Sequence, residues 1–218
     1  MMYFGVNNLF GYCDNNPVMN SDPSGRLIIY NIKFFDRIVN KLIKSGVSKV
    51  RKFAINHRLS INLYLLSLTA ARFNWIINLN DYPSIIKNMT DRLSSSRKVR
   101  SRIKEYVKKA KNGSYAKCEF IMFYDATCYA DKDLSLSIGS VDSFTMEVQY
   151  VGISKGMKKY KVSIAIIDDY DFDYFEKGEK KEMVSLINNY GGYWPMKWGA
   201  IKEYYWHSFS TFYYYGNL

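Results

Sequence analysis

The sequence predicts an α+β fold: a helical N-terminal half packed on a C-terminal antiparallel β-sheet that carries one short helix. Three observations predict it. Apolar residues recur at spacings of three and four up to about residue 112, then alternate one-for-one from about 117. Charge changes sign at the same place: residues 31–117 hold 20 Lys/Arg and 4 Asp/Glu, whereas residues 118–218 hold 10 and 14. A hydrophobic fraction of 48%, with 17% aromatic, can fill a core in a chain of 218 residues, so wholesale disorder is excluded.

Residues 1–25 form a first region of turn formers (Asn7, Asn8, Asn15, Asn16, Pro17, Asn20, Asp22, Pro23, Ser24, Gly25) around short aromatic pairs. The basic helical region, 26–116, comes next. Phe34, Phe35, Ile38, Val39, Leu42 and Ile43 share one helical face, and Ser45-Gly46 is a stop. A second helix is predicted over roughly 49–79 with a break near His57, and Asn80, Asp81 and Pro83 turn the chain. The serine run in Leu93–Arg97 reads as a flexible hinge. A third helix covers about 96–111 on the stripe Val99, Ile103, Val107 and Ala110, and Asn112-Gly113 closes it.

The β-rich region, 117–218, begins with a strand over Glu119–Tyr124. Thr145–Val151 and Tyr160–Ile167 alternate and are joined through GISKGMK as a hairpin. A short helix is expected over about 178–190, ended by Gly191-Gly192. A last aromatic strand runs from about 203 to 215.

Other signals narrow the class. The start MMYFGVNNLFGY lacks a basic n-region followed by an apolar run, so it does not read as a secretory signal. Leu59–Leu79 comes nearest to a membrane span, but Asn62, Arg72, Asn74 and Asn78 interrupt it, and a buried or interfacial helix is the better reading. Three cysteines (Cys13, Cys118, Cys128) without CxxC spacing exclude a disulfide framework or zinc knuckle, leaving a Cys118–Cys128 bridge or free thiols. No HxxH, GxGxxG, P-loop or H-N-H pattern is present, so nucleic acid is the less favoured partner despite the net charge of +11.

Two resemblances add to this reading. NLFGYCDNNPVMNSDPSG at 8–25 resembles the closing motif of the RHS/YD-repeat core, through Tyr12, Asn15, Asn16, Pro17, Val18, Asp22, Pro23 and Gly25. In that family the core is a β-cage, and the segment after the motif is an interchangeable effector, usually a toxin. The NNPV wording and the Tyr-Cys pair resemble its Gram-positive branch. Residues 131–212, with DKDLSLSIGSV, a hairpin, IIDDYDFD and a short helix ending at glycine, resemble the catalytic end of colicin M. That family hydrolyses lipid II at its pyrophosphate linkage with magnesium. Its Asp-x-Tyr-Asp-Phe motif falls on Asp168, Tyr170, Asp171 and Phe172. The chain departs from it where the family has a His-Arg pair, because Lys177 and Gly178 stand there. His57-Arg58 is such a pair, but it lies in the helical half.

The residues alone point to the same place. Asp168, Asp169, Asp171 and Asp173 crowd the end of a predicted strand, where like charges need a cation, hydrogen bonds or raised pKa values. Mg²⁺ favours such oxygen ligands, with Asp168, Asp171 and Asp173 as its candidates. Asp125, Asp131 and Asp133 join them if their strand is adjacent. Asp168, Tyr170 and Asp171 are the candidate catalytic residues, with His207 as the local substitute for the missing pair; the plain alternative is an acidic loop capping a helix and a packed imidazole. Arg97, Lys98, Arg100, Arg102 and Lys104 are candidate contacts to substrate phosphate or a membrane surface, or simply a solvated helix face.

Together these predict a secreted antibacterial toxin delivered to a target bacterium by an RHS shell or other delivery machinery. Its expected site of action is the outer face of the cytoplasmic membrane, on a lipid-linked pyrophosphate. The rivals are a nuclease acting in the cytoplasm and a non-enzymatic membrane disruptor. A cognate immunity protein is expected under each.

Overall fold

A computed structural model describes residues 37, 40, 41, 44, 46–68, 76–124, 127–171 and 189–216. The turn-rich segment 1–25, Cys13, most of the helix expected around 34–43, Asp125, Asp173 and residues 178–188 of the helix expected over about 178–190 lie outside the described residues. The described chain has an α+β fold, as the change of period predicts. Its chain order is α1 (Ser48–Asn56), α2 (Arg58–Leu68), β1 (Ile76–Asn78), a 3₁₀ turn (Leu79–Asp81), α3 (Pro83–Ser95), α4 (Arg97–Ala110), β2 (Ser114–Met122), α5 (Tyr129–Ser137), β3 (Ser140–Ser154), β4 (Met157–Tyr170), a π-helical turn (Asn189–Tyr193), α6 (Trp194–Lys197) and β5 (Tyr204–Gly216). The strands form one sheet in the order β1-β5-β4-β3-β2.

Contacts divide the chain into two compact units. One includes the described parts of Tyr64–Ile77 and Asp169–Tyr205, and the other those of Val39–Leu63, Asn78–Asp168 and Trp206–Leu218. The second unit draws on both sides of residue 116, so the change in composition there marks a change of secondary structure within one unit.

In this second unit β3 pairs antiparallel with β2 and with β4. Alternation aligns Phe144 with Ile166, Met146 with Ile164 and Val148 with Val162, and all six are buried. The turn between β3 and β4 is two residues, Lys155 and Gly156, at φ of 52° and 75°. Positive φ at both places is the I′ geometry that matches strand twist, and it explains the glycine. α4 lays its predicted stripe (Val99, Ile103, Val107, Ala110, joined by Tyr106) into the core.

Several elements depart from the sequence reading. The long helix expected to 79 does break at His57, but Ile76–Asn78 is a strand. Two β-branched residues suit an edge strand, and Leu79–Asp81 then turns the chain. Pro83 opens an unforeseen helix, α3, at the position where a missing N–H costs nothing. The serine run is no hinge: Ser96 is fully buried and caps α4, accepting from the Val99 N–H at 3.3 Å. α5 was also unforeseen, because Leu134, Leu136 and Ile138 alternate like a strand. Asp131 and Asp133 therefore sit on a helix. Gly191-Gly192 does not stop a helix, since the π-helical turn runs through both into α6. Cys118 and Cys128 are free thiols, which removes the bridge.

Candidate functional site

The buried carboxylates of α5 fix the site's surroundings. Asp133, fully buried, accepts from the N–H groups of Leu59 (3.1 Å) and Ser60 (3.0 Å) at the start of α2. It also pairs with Arg92 of α3, at 3.0 Å. Asp131, equally buried, accepts from the Ser96 hydroxyl and, at 3.3 Å, from the Arg97 N–H at the start of α4. Each carboxylate thus satisfies orphan donors of a helix N-terminus and sits where the helix dipole favours negative charge. These are structural groups, and neither joins the strand-end aspartates as a ligand.

α4 carries no acidic residue in its first turn, yet opens with Arg97, Lys98 and Arg100. Cations at a helix N-terminus oppose the macrodipole, each at a cost of roughly 0.3–1 kcal/mol, and Asp131 offsets part of it. The five candidate cations of this helix then separate by face. The Lys98 ammonium donates to the Met122 carbonyl at the end of β2. Arg102 pairs with Glu105 at 3.2 Å and Glu119 at 3.3 Å. Arg97, Arg100 and Lys104 are exposed, and among the described residues their side chains have no carboxylate partner.

Those three line an open cleft of ≈ 560 Å³, with Ser95, Ser101, Cys128, Tyr214 and Tyr215. Spacings of three and four place the cations in one row, about 10 Å from first to last at 1.5 Å per residue. Cys128 is held there as the N-cap of α5, its sulfur accepting from the Asp131 N–H at 3.5 Å. Tyr214 and Tyr215 come from the end of β5, which α3 steadies: Thr90 Oγ1 donates to Ser210 Oγ at 3.0 Å. The Asn80 amide accepts from the Phe209 N–H and donates to the Phe209 carbonyl, both at 2.8 Å, as a neighbouring strand would. Guanidinium, ammonium, hydroxyl and phenol groups around a space of this size suit a ligand with one or two phosphate groups.

The strand-end candidates lie elsewhere. Asp168 is half-buried on β4, on the face that buries Ile164, Ile166 and Tyr170, and Asp169 and Asp171 are exposed. Burial raises the Tyr170 phenol well above its ordinary pKa, and its ring meets Tyr204 at 5.2 Å, so it is a core group. His207 is exposed between buried Trp206 and Ser208. Alternation therefore sets Asp168 and His207 on opposite faces of the sheet, and the packed imidazole expected there is not found. Asp168 is also remote from the cleft tyrosines. Lys159 lies over the Tyr213 ring at 3.9 Å, and Asp168 follows Lys159 along β4 by about 30 Å of extended strand. No group of three His, Cys, Asp or Glu among the described residues could hold a metal ion. The described members of the magnesium set do not by themselves make a site.

His57, at the break between α1 and α2, packs on Phe53 at 4.7 Å. Burial lowers its pKa below the usual 6.5, and Asp133 opposes that shift. It touches neither the cleft nor the strand end, so His57-Arg58 does not replace the absent pair.

Sequence reasoning found the three cleft cations but grouped them with Lys98 and Arg102, and it missed Ser95, Ser101, Cys128, Tyr214 and Tyr215 as lining residues. The period of α4 held a usable signal: 97, 100, 101 and 104 share a face opposite the apolar stripe. Among the described residues no helix is long and apolar enough to cross a membrane. No protein-family model and no curated protein sequence matches the chain.

Proposed function

We propose that this chain is the effector end of a secreted antibacterial toxin of the RHS type, acting at the outer face of a target's cytoplasmic membrane on a lipid-linked pyrophosphate. The observation that carries the reading is the row Arg97, Arg100 and Lys104, without carboxylate partners among the described residues, beside Tyr214 and Tyr215. Arg97 and Arg100 stand in the first turn of the helix, against its dipole, and a bound anion would offset the part of that cost that Asp131 does not. The RHS-like motif at 8–25 supports delivery of the effector downstream of it, and a cognate immunity protein completes the system.

In this proposal the cleft seats phosphate; hydrolysis by Asp168 and Asp171 is a separate reading, because about 30 Å of extended strand parts Asp168 from the cleft tyrosines. Magnesium would supply Lewis acidity at a phosphoryl oxygen. The described residues do not assemble its ligands, so no step is assigned to it.

Expression with and without an export signal in a sensitive host tests the compartment. Killing only by the exported form is the expected result. Killing confined to the cytosolic form overturns the envelope reading and favours a nuclease, for which the same cations and tyrosines would serve phosphate contact and base stacking. A chain starting at Arg26 is expected to kill as well as the longer one, because the RHS-like segment belongs to delivery.

A further inference from the structure

A second surface, in the other compact unit, has no role in that reading. Between Asn189 and Lys202 the chain has four large aromatics, two lysines and no acidic residue. Trp198 is 74% exposed and Tyr190 70%, and Trp194 is partly exposed with its ring stacked on Trp198 at 6.1 Å. Lys197 Nζ lies 5.2 Å from the Tyr193 ring.

The display is built rather than loose. The Trp198 N–H donates to the Trp194 carbonyl at 3.0 Å, Gly199 to Met196 at 2.9 Å and Ala200 to Pro195 at 2.8 Å. Gly199 takes φ of +73°, the left-handed conformation that ends a helix tightly. Below it Ile201 is buried, and the Lys202 N–H donates to the Ser67 carbonyl at 3.0 Å. An ordered segment thus holds two large rings in water, where most proteins avoid them.

We propose that Tyr190–Lys202 is a membrane-interface anchor, seating Tyr190 and Trp198 among the headgroups of an anionic bilayer. Trp and Tyr favour that boundary because an apolar ring and a polar N–H or O–H are both satisfied there. Lys197 and Lys202 complement anionic lipid, with Glu203 beside Lys202 offsetting part of that charge. A sugar-binding platform would flank its rings with exposed carboxylates or amides, whereas Asn189 beside Tyr190 is buried and Trp194 and Trp198 are flanked by Pro195 and Gly199. The proposal stands on its own observations and does not depend on the cleft binding phosphate.

The test uses purified chain and vesicles of phosphatidylcholine and phosphatidylglycerol in equal parts. Wild type is expected to float with the vesicles, and brominated lipid is expected to quench its tryptophan emission. Tyr190→Ser with Trp198→Ser should weaken partition at least about tenfold. Trp194→Phe with Trp198→Phe, a milder change, should remove the bromolipid quenching. Lys197→Gln with Lys202→Gln should weaken binding to the mixed vesicles more than to phosphatidylcholine alone. Unchanged flotation of the folded serine variant overturns the proposal. So does flotation abolished only by replacing Arg97, Arg100 and Lys104, which would assign membrane contact to the cleft. Binding to lipid-free peptidoglycan that the serine variant loses, with no vesicle binding by wild type, would make the surface a carbohydrate site instead.

Discussion

Asp131 and Asp133 on α5 and the cations Arg97, Arg100 and Lys104 on α4 are neighbouring charged groups used in opposite ways. Both carboxylates are fully buried and accept hydrogen bonds from helix N-termini, and Asp133 also pairs with Arg92. The three cations are exposed and unpaired among the described residues. A buried charge is tolerable only when every lone pair is satisfied. An exposed charge needs no partner, so cations gathered in one row around a cleft remain available to a ligand. Charge with partners holds this fold together, and charge without them is where function is to be sought.

The comparison predicts unequal sensitivities. Asp133→Ala leaves Arg92 unpaired and two N–H groups of α2 without an acceptor. Chemical denaturation should show a loss of about 3–5 kcal/mol, the usual cost of breaking one side of a buried ion pair. A loss below about 1 kcal/mol would mean that water replaces the carboxylate, and the contrast would collapse.

Strand-end chemistry is a separate claim. Asp168→Asn with Asp171→Asn removes charge while nearly keeping shape, and should lower killing at least about 10²-fold without moving the melting temperature far. Full killing by the folded double variant would make the colicin M resemblance architectural, and the membrane-disrupting reading would then lead. Asp169→Asn is the matched control.

A smaller effect concerns Asn80, whose amide stands in for a strand against Phe209. Asn80→Ala is expected to cost about 1–2 kcal/mol by thermal melting, with weakened order at Tyr214 and Tyr215 downstream.

The smallest effect is a pH dependence. Burial lowers the pKa of His57 in the folded chain, so the unfolded chain binds its proton first as pH falls. Stability should be full above the ordinary 6.5 and decline as pH drops below it toward the lowered value. Melting between pH 8 and pH 5 measures this, and His57→Gln should flatten the upper part of that slope.

Much of the fold was legible because burial writes a period. The stripe of α4, the break at His57, the β3–β4 hairpin and the aromatic last strand all follow from spacing and turn chemistry. α5 was hidden because its Leu-Ser-Leu-Ser-Ile run imitates a half-buried strand while tertiary contacts make it helical. α3 was hidden by Ser94–Ser96, whose hydroxyls read as flexibility until Asp131, distant in sequence, supplies Ser96 with a partner. The same gap limited the site. Helical spacing names Arg97, Arg100 and Lys104, but only the fold brings Cys128 and Tyr214 beside them. Only the fold, too, sets His207 on the opposite face from Asp168.

Phosphate binding is the role proposed for the cleft cations Arg97, Arg100 and Lys104. The direct measurement is calorimetric titration of the purified chain with inorganic pyrophosphate, beside the variant Arg97→Gln, Arg100→Gln, Lys104→Gln. Wild type should bind with an affinity that falls as salt rises. The triple variant should lose at least about 10²-fold in affinity without losing unfolding free energy, because those side chains have no carboxylate partner among the described residues and Arg97 and Arg100 oppose the helix dipole. Equal pyrophosphate affinity in both proteins, or no binding by wild type at low salt, would contradict the claim.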